Sequence, residues 1–433
     1  MLNAVGIDVS KGKSTVAVLR PAGEVVRKPF NVVHSVNGLS ELVSYVRSLD
    51  GETRVVMETT GHYHEPVLKA FLDAGIFASA VNPCLIRHHD SDKNPLRKVK
   101  SDPADAKKIA KYTLDKWELL RQHSIMDTTR TQLKTLNTQF HFFMQQKVSL
   151  KNNLISLLDL TYPGANTLFD SPVRSDGSEK WVDYVHSFWH ADCVRKIGLK
   201  AFSVRYQNFC KHHGYNYQPG KPEELFKESK ELVAVVPKDP VYKQMILSTI
   251  EQLNTVSKQI ERFRCKMNEL ASTLPEYTTV MSMYGVGPTY GPQLMAEIGD
   301  VARFERRSAI TAFAGVDPGV DQSGQVYHES NRASKHGAPR LRKTLFQIMT
   351  TLLQLAPEDD PVYRFMMKKK SEGKPYQVYM TAGANKFLRI YYGKVKAFLA
   401  SQTDMQYIML LISPLASVFG GLFVVPSFLF LIP

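Results

Sequence analysis

Four carboxylates occupy positions where an acidic side chain is costly unless it has a partner. Asp8 ends the apolar run VGID, and Glu58 ends a second apolar run, VVME. Asp102 and Asp105 are three residues apart in KSDPADAKKIA, so both can lie on one face of a helix. Divalent cations are natural partners for such a cluster. A pair of Mg²⁺ ions held there can activate a nucleophile and stabilise the leaving oxygen in phosphodiester cleavage.

Three of the four carboxylates also have a purely structural interpretation. Asp8 could cap a hairpin turn, Glu58 could pair with a surface lysine, and Asp102 could be the N-cap of a helix. Their joint occurrence in one domain favours the metal site. Lys98 and Lys100 lie just upstream of the aspartate pair, in a basic stretch that can hold a phosphate backbone.

The elements that must position these side chains follow from the hydrophobic pattern. Residues 1–120 read as three strands, then helix, strand, helix, strand and helix, which is the element order of an α/β RNase H-like domain. Residues 133–157 and 246–270 each carry apolar residues at heptad spacing. This predicts coiled-coil helices, within one chain or between chains, with two ordinary amphipathic helices as the alternative.

The segment between the two heptad helices is rich in aromatic and basic residues. Tyr206, Phe209, Tyr215 and Tyr217 could stack on unpaired bases, or they could form the core of an inserted subdomain. Beyond residue 273 the pattern is mostly helical. Its first feature is a glycine turn (YGVGP) before an apolar helix, where backbone amides can bind phosphate. The glycines of this turn are Gly285 and Gly287.

The composition limits the classes of protein to which the chain can belong. The chain has 433 residues and a formal net charge of +14, with 43% hydrophobic residues, which excludes wholesale disorder and indicates a polyanionic partner. Its four cysteines contain no CxxC pair, so a disulfide framework and an all-cysteine zinc site are disfavoured, and a cytoplasmic location is the default. Residues 407–433 carry no charge. They could be a run-on extension, a buried or partner-binding segment, or a membrane anchor, and we expect no membrane association.

The motifs, in order and correctly spaced, resemble those of the insertion sequence 110 family of transposases. GIDVSK, METTGHYHEPV and KSDPADAKKIA carry the four carboxylates, and YGVGP, FAGVDP, QSG and SKHG with RLR match the second domain. The resemblance covers residues 1–160 and about 241–400. It implies an N-terminal RuvC-like domain with a DEDD carboxylate set, coiled-coil helices, and a mostly α-helical C-terminal serine transposase domain.

The same resemblance implies a domain plan and a set of roles. Residues 1–120 would be the RuvC-like domain, 121–160 and 241–272 the coiled-coil helices, 161–240 an insert, 273–404 the serine transposase domain and 405–433 a hydrophobic tail. Asp8, Glu58, Asp102 and Asp105 would hold a two-metal Mg²⁺ site, and Ser323 would be the nucleophile. Nucleic acid would be bound by a set of basic residues and turn glycines: Lys98, Lys100, Gly285, Gly287, Arg332, Lys335, Arg340, Arg342 and Lys343.

The implied activity is DNA transposition, in which a serine attacks a DNA phosphodiester with the help of Mg²⁺. A structured non-coding bridge RNA would guide it, and the coiled-coil helices would assemble a homodimer or homotetramer. The runner-up is a RuvC-like, structure-selective DNA nuclease that uses the carboxylates alone. A sugar-kinase-like ATPase is disfavoured, because neither a second phosphate hairpin nor a Gly-Gly adenosine motif is found in the sequence.

Overall fold

The structure, a computed structural model, describes the backbone of most of the chain. The described ranges are 1–59, 61–90, 101–123, 126–317, 322–323, 326–327, 333–335, 337–355 and 358–418. Side chains at 84, 88, 90, 322–323, 326–327 and 403–418 lie outside the description. The chain divides into two compact units, Met1–Ile125 and Met126–Pro433. The finer division into five parts stays a prediction.

The first unit is a five-stranded mixed sheet with helices on both faces. Its elements are β1 (Leu2–Ser10), β2 (Lys13–Leu19), β3 (Val25–Val33), α1 (Val36–Arg47), β4 (Glu52–Glu58), α2 (Glu65–Asp73), β5 (Ala78–Val81), α3 (Pro83–Asp90) and α4 (Asp102–Asp115). The strand order is β3-β2-β1-β4-β5. The first three strands pair antiparallel, and β4 and β5 add on as parallel strands. This is the arrangement that the RNase H-like element order predicts.

Alternation along β1 gives the sheet two different faces. Val5 and Ile7 point into a core that they share with α1 and α2. Ala4 points the other way, into a small cluster with Ala110 of α4. Because successive side chains of a strand alternate, Asp8 belongs to the α4 face.

The second unit is helical apart from one short strand pair. Its elements are α5 (Thr128–Thr161), α6 (Lys180–Ser187), α7 (Asp192–Arg195), α8 (Leu199–His213), α9 (Lys221–Glu231), α10 (Pro240–Ser272), α11 (Tyr277–Met281), α12 (Gly287–Ile298), α13 (Arg307–Ala314), β6 (Gln322–Ser323), β7 (Val326–Tyr327), α14 (Pro339–Leu355), α15 (Pro361–Ser371) and α16 (Tyr376–Val418). Among the helices of the described residues, none is both long and apolar enough to cross a bilayer.

The two predicted heptad helices, α5 and α10, pack against each other within the chain. They run antiparallel: Leu133 of α5 shares a core with Met267 of α10, whereas Leu154 shares a second core with Ile246. Midway along the pair, the rings of Phe143 and Phe263 stack with centroids 5.4 Å apart. The pair therefore joins two hydrophobic cores, one with α11–α16 and one with the insert. A coiled-coil assembly between chains stays a prediction.

Lys147, a polar residue within the heptad pattern of residues 133–157, has a structural partner. Lys147 Nζ lies 3.1 Å from Glu179 Oε1, and Lys151 Nζ lies 2.7 Å from the other oxygen of the same carboxylate. Trp181 also donates its indole N–H to Glu179. Lys147 thus links α5 to the insert.

Two of the four aromatic residues proposed for base stacking are inside the insert. Tyr206 is 1% exposed and Phe209 is 5% exposed, within one aromatic cluster around Tyr184. Their packing agrees with the insert-core interpretation, because a buried ring cannot stack on a nucleobase. Tyr217, at 37% exposure, lies at the margin of this cluster.

Candidate active site

Asp8 and Glu58 are neighbours at the carboxyl ends of two adjacent strands. β1 and β4 are parallel, with Ile7 opposite Met57, so the next residue on each strand is one of the two carboxylates. Glu58 lies on the same face as Val56, which packs against Ile109 of α4. Both carboxylates are partly exposed. The sheet therefore directs them towards α4, as the metal-site interpretation requires.

Helix α4 brings the other two carboxylates to this face. It begins at Asp102, with Ser101 as N-cap, and Pro103 is in the first turn. The sequence interpretation of Asp102 as the cap is therefore wrong by one residue. Serine and aspartate both suit an N-cap, so composition alone does not choose between them. Asp102 is exposed, and Asp105, partly exposed, lies 3.3 Å from Lys108 Nζ.

The close approach of α4 to β1 depends on Gly6. A Cβ placed on Gly6 would lie 2.2 Å from the backbone nitrogen of Ala110 and 2.3 Å from the carbonyl oxygen of Ala106. Only a residue without a side chain fits there. Gly6 is a positioning residue that the sequence analysis missed. The available signal was a glycine inside a strand, which often marks a close backbone approach.

The four carboxylates interact electrostatically. Burial, and then the charges of Asp105, Asp102 and Glu58 in that order of size, together raise the pKa of Asp8 to about 6. Burial also raises the pKa of Glu58, with a smaller contribution from Asp105, while Arg87 of α3 opposes the rise. Arg87 was not anticipated from the sequence. Lys108, which pairs with Asp105, and Arg87, which acts on Glu58, offset part of the cluster's negative charge, and the pKa of Asp8 is nevertheless raised.

This charge is a reason to test the cluster as a metal site. Carboxylate oxygens are the donors that Mg²⁺ prefers, and mutual repulsion is what a bound cation would relieve. Within the described ranges, however, no three carboxylate, imidazole or thiol side chains are close enough together to enclose a metal ion as they stand. The donor type and charge fit the ion, and the coordination shell is not assembled.

The proposed nucleophile belongs to the strand pair of the second unit. Ser323 is in β6 and pairs with Val326 of β7, and its side chain lies outside the description. Lys98, Lys100 and Arg332 lie outside the described residues.

Ser334, a second serine eleven residues after Ser323, has a clear structural bond. Ser334 Oγ donates to Asp317 Oδ1 at 2.7 Å, and the Ser334 amide donates to the Asp317 carbonyl. Lys335 follows with a positive φ of 54° and an exposed side chain. Ser334 is thus anchored to Asp317, and the exposed Lys335 follows it directly in the chain.

The basic residues that begin α14 have distinct roles. Arg342 Nη1 donates to the carbonyls of Ala314 and Gly337, both at 3.0 Å, and so ties α13 to the turn before α14. Arg340 donates to Thr138 Oγ1 of α5 at 2.8 Å, and Lys343 is exposed. Lys343 is therefore accessible to an anion, whereas Arg342 also holds α13 against the turn before α14.

The predicted glycine turn precedes α12. Gly285 and Gly287 have φ values of 77° and 53°, which favour glycine. A Cβ on Gly285 would lie 2.9 Å from the carbonyl oxygen of Ile348, whereas one on Gly287 would meet nothing within 4 Å. Gly285 serves packing against α14, and Gly287 leaves the first turn of α12 open.

A buried polar cluster beneath α14 was missed. Asn137 of α5 donates to Glu297 Oε1 of α12 at 2.7 Å, and both residues are buried. Burial raises the pKa of Glu297. Nearby His141 is 7% exposed, and burial, with Lys343 and Arg340, lowers its pKa to about 4. Residues 137 and 297 are too far apart in sequence for periodicity to connect them.

Fold and site together define a class: an RNase H-like domain with a carboxylate cluster, joined to a helical, basic second unit. Comparison with known proteins narrows this class. Residues 5–163 match the DEDD transposase model of the insertion sequence 110 group, described as a transposase, and residues 277–364 match the model of the transposase IS116/IS110/IS902 family. The chain belongs to the insertion sequence 110 family of transposases and is a DNA-cleaving and recombining enzyme.

Two relatives agree with this membership. A Streptomyces coelicolor protein named as the mini-circle transposase for IS117 is 22% identical over 368 residues, covering 83% of this chain and 86% of its own. A Sinorhizobium fredii protein named as transposase y4rJ is 38% identical over 73 residues, covering 17% of this chain and 18% of its own.

Proposed function

We propose that the protein moves an insertion sequence through a covalent link between Ser323 and DNA. The Oγ–P bond forms as the bond from phosphorus to the 3′ oxygen breaks, and the serine proton ends on the freed 3′-OH. In the reverse step, a 3′-OH of a partner strand attacks the phosphoserine, and the serine hydroxyl is restored. The observation that supports this proposal most directly is that Asp8 lies within electrostatic reach of three other carboxylates, Glu58 of β4 and Asp102 and Asp105 of α4.

In this proposal Asp8, Glu58, Asp102 and Asp105 hold two Mg²⁺ ions. When bound, such ions neutralise the charge that develops on the phosphate oxygens. Ser323 needs this help because a serine hydroxyl is a weak nucleophile alone.

The basic residues hold the DNA in this proposal. Lys335, Arg340 and Lys343 have exposed side chains that can neutralise phosphates next to the scissile one. Lys98, Lys100, Arg332 and Arg342 are proposed to do the same, and the amides after Gly285 and Gly287 add uncharged donors. Charge neutralisation at the phosphate is worth most in the transition state, where negative charge is spread over its oxygens.

A structured bridge RNA is the proposed guide, and a dimer or tetramer is the proposed assembly. The net charge of +14 supports a polyanionic partner, a class that includes RNA as well as DNA. The proposal places this work in the cytoplasm. Purification from the host followed by sequencing of bound nucleic acid tests the guide: RNA from the region flanking the gene supports it, and an absence of RNA contradicts it.

The competing function is a nuclease that uses the carboxylates alone. Ser323→Ala and Asp8→Ala separate the two on a labelled DNA substrate with Mg²⁺. We expect Ser323→Ala to abolish both recombination and the covalent protein–DNA band. Ser334→Ala is the matched control, because its hydroxyl already bonds Asp317 and the covalent band should remain. Recombination by Ser323→Ala without a covalent species would contradict serine attack and favour the nuclease.

A further inference from the structure

A cleft of about 570 Å³ opens between α13, α15 and α16 in the second unit. Arg307 lies on one side, and Lys386, Arg389 and Lys394 lie on α16. None of the described residues that line this cleft is acidic. Neither the carboxylate site nor the predicted basic residues at 332–343 include it.

The three cations of α16 form a stripe. They are separated by three and five residues and all line the cleft, over about 12 Å of helix at 1.5 Å per residue. One strand of B-DNA places about three or four phosphates in that length, at 3.4 Å each. A row of this length suits a chain of phosphates better than a single small anion.

Arg307 closes the opposite side at the start of α13. The preceding residue, Arg306, is the N-cap and makes no side-chain cap bond. The first amides of a helix have no intrahelical partner and carry partial positive charge, so this end of α13 adds to the positive potential of the cleft.

The positive charge of the cleft is not balanced within it. Across the described part of the chain, Arg307, Lys386, Arg389 and Lys394 make no ion pair with a carboxylate. Lys386 instead lies with its Nζ 4.7 Å from the centroid of the Phe365 ring. Four cations gathered without carboxylates repel one another, and a bound polyanion relieves this repulsion.

We infer that this cleft binds the phosphodiester backbone of the DNA on which the transposase acts. The inference rests on the proposed function, because DNA is there the polyanion that reaches the second unit. The cleft contributes affinity rather than sequence recognition, since contacts to phosphates carry no base information.

The test is the salt dependence of duplex DNA binding by the full chain. Each lost phosphate contact lowers the slope of log K against log salt by about 0.9. Arg389→Ala with Lys394→Ala should therefore lower the slope by about 2, so that the wild type loses about 12-fold more affinity than the variant between about 50 and 200 mM salt. The α15 control is Lys368→Ala with Lys370→Ala, which removes two exposed cations that do not line the cleft.

A second variant blocks the cleft without changing its charge. A Cβ on Gly393 of α16 would meet nothing within 4 Å, and its φ is not among the positive ones. Gly393→Leu should fold at least as well as wild type, because leucine favours helix over glycine. It should weaken DNA binding at least threefold.

The inference is overturned if the slope and the affinity of both cleft variants match those of the α15 control. It is also overturned in favour of RNA if they lose affinity for an RNA of equal length and keep it for DNA. The Ser323→Ala variant distinguishes failure of the cleft inference from failure of the proposed function. If Ser323→Ala still forms a covalent band and the charge variant of the cleft has a lowered slope, serine attack is refuted and the cleft inference stands. If Ser323→Ala loses the band and the cleft variants keep the wild-type slope and affinity, the cleft inference is refuted and serine attack stands.

Discussion

The contact between α4 and β1 makes Gly6 the most sensitive position for testing the carboxylate site. Gly6→Ala adds one methyl group at a point 2.2 Å from the Ala110 nitrogen, whereas ordinary contacts begin at 3.4 Å. The obstructing atoms belong to helix backbone, so they cannot move by changing a rotamer. Helix α4 must shift by about 1 Å, and it carries Asp102 and Asp105 with it.

The expected magnitudes follow from this displacement. Overpacking a well-packed interface costs about 1–3 kcal/mol of the free energy of unfolding. A misplacement of about 1 Å in a catalytic array can lower the rate about 100-fold. Gly6→Ala should therefore cleave DNA about 100-fold more slowly than the wild type while it remains folded.

The assay is cleavage of a saturating DNA substrate in the presence of Mg²⁺, paired with urea unfolding of each variant. Ile7→Val is the matched control: it costs about 0.5–1.5 kcal/mol on the opposite face of the same strand and leaves α4 in place. Its cleavage rate should stay within about twofold of wild type, since the proposed site lies on the α4 face. The reasoning is refuted if Gly6→Ala, folded, cleaves as fast as Ile7→Val, or if both lose rate equally.

Three further predictions concern electrostatics and packing. Because the pKa of Asp8 is raised to about 6, its ionised form destabilises the metal-free fold above that pH; Asp8→Asn should melt higher than wild type at pH 8 in EDTA, and this gain should vanish at low pH. His141 is neutral when folded, with a pKa of about 4, so wild type should lose on the order of 2–3 kcal/mol between pH 6.5 and 4 in urea unfolding, and His141→Gln should not. Tyr206→Ala should cost about 3–5 kcal/mol in urea unfolding as a core deletion, whereas Tyr217→Ala should stay within about 1 kcal/mol of wild type.

The first unit could be predicted from sequence because its signals are local. Apolar runs of strand length alternate with helical spacing, and the carboxylates Asp8 and Glu58 mark the ends of two such runs. The parallel pairing of β1 with β4 then brings them together. The catalytic roles of these residues stay predictions, as does that of Ser323.

What the sequence did not reveal depends on contacts between distant residues. Gly6 looks like any small strand residue until α4 is packed on it. Asn137 and Glu297 are 160 residues apart, and no periodic pattern links them. Arg87 acts on Glu58 through space, from a helix whose packing the sequence does not fix. The stripe on α16 was also missed, because three cations at helical spacing are common on solvated faces.

In both units, like charges are gathered so that the stability of the folded state should increase when a ligand of opposite charge binds. The first unit gathers four carboxylates, of which Asp8 has a pKa raised by burial and by the charges of the other three. The second gathers four cations at a cleft without a carboxylate among its described lining residues. Each arrangement is unfavourable when the protein is alone and favourable when a ligand of opposite charge is bound. A ligand that binds the folded state raises its stability by mass action. Divalent cations and DNA should therefore each stabilise the fold, and through different units, since the first cluster attracts cations and the second attracts phosphates.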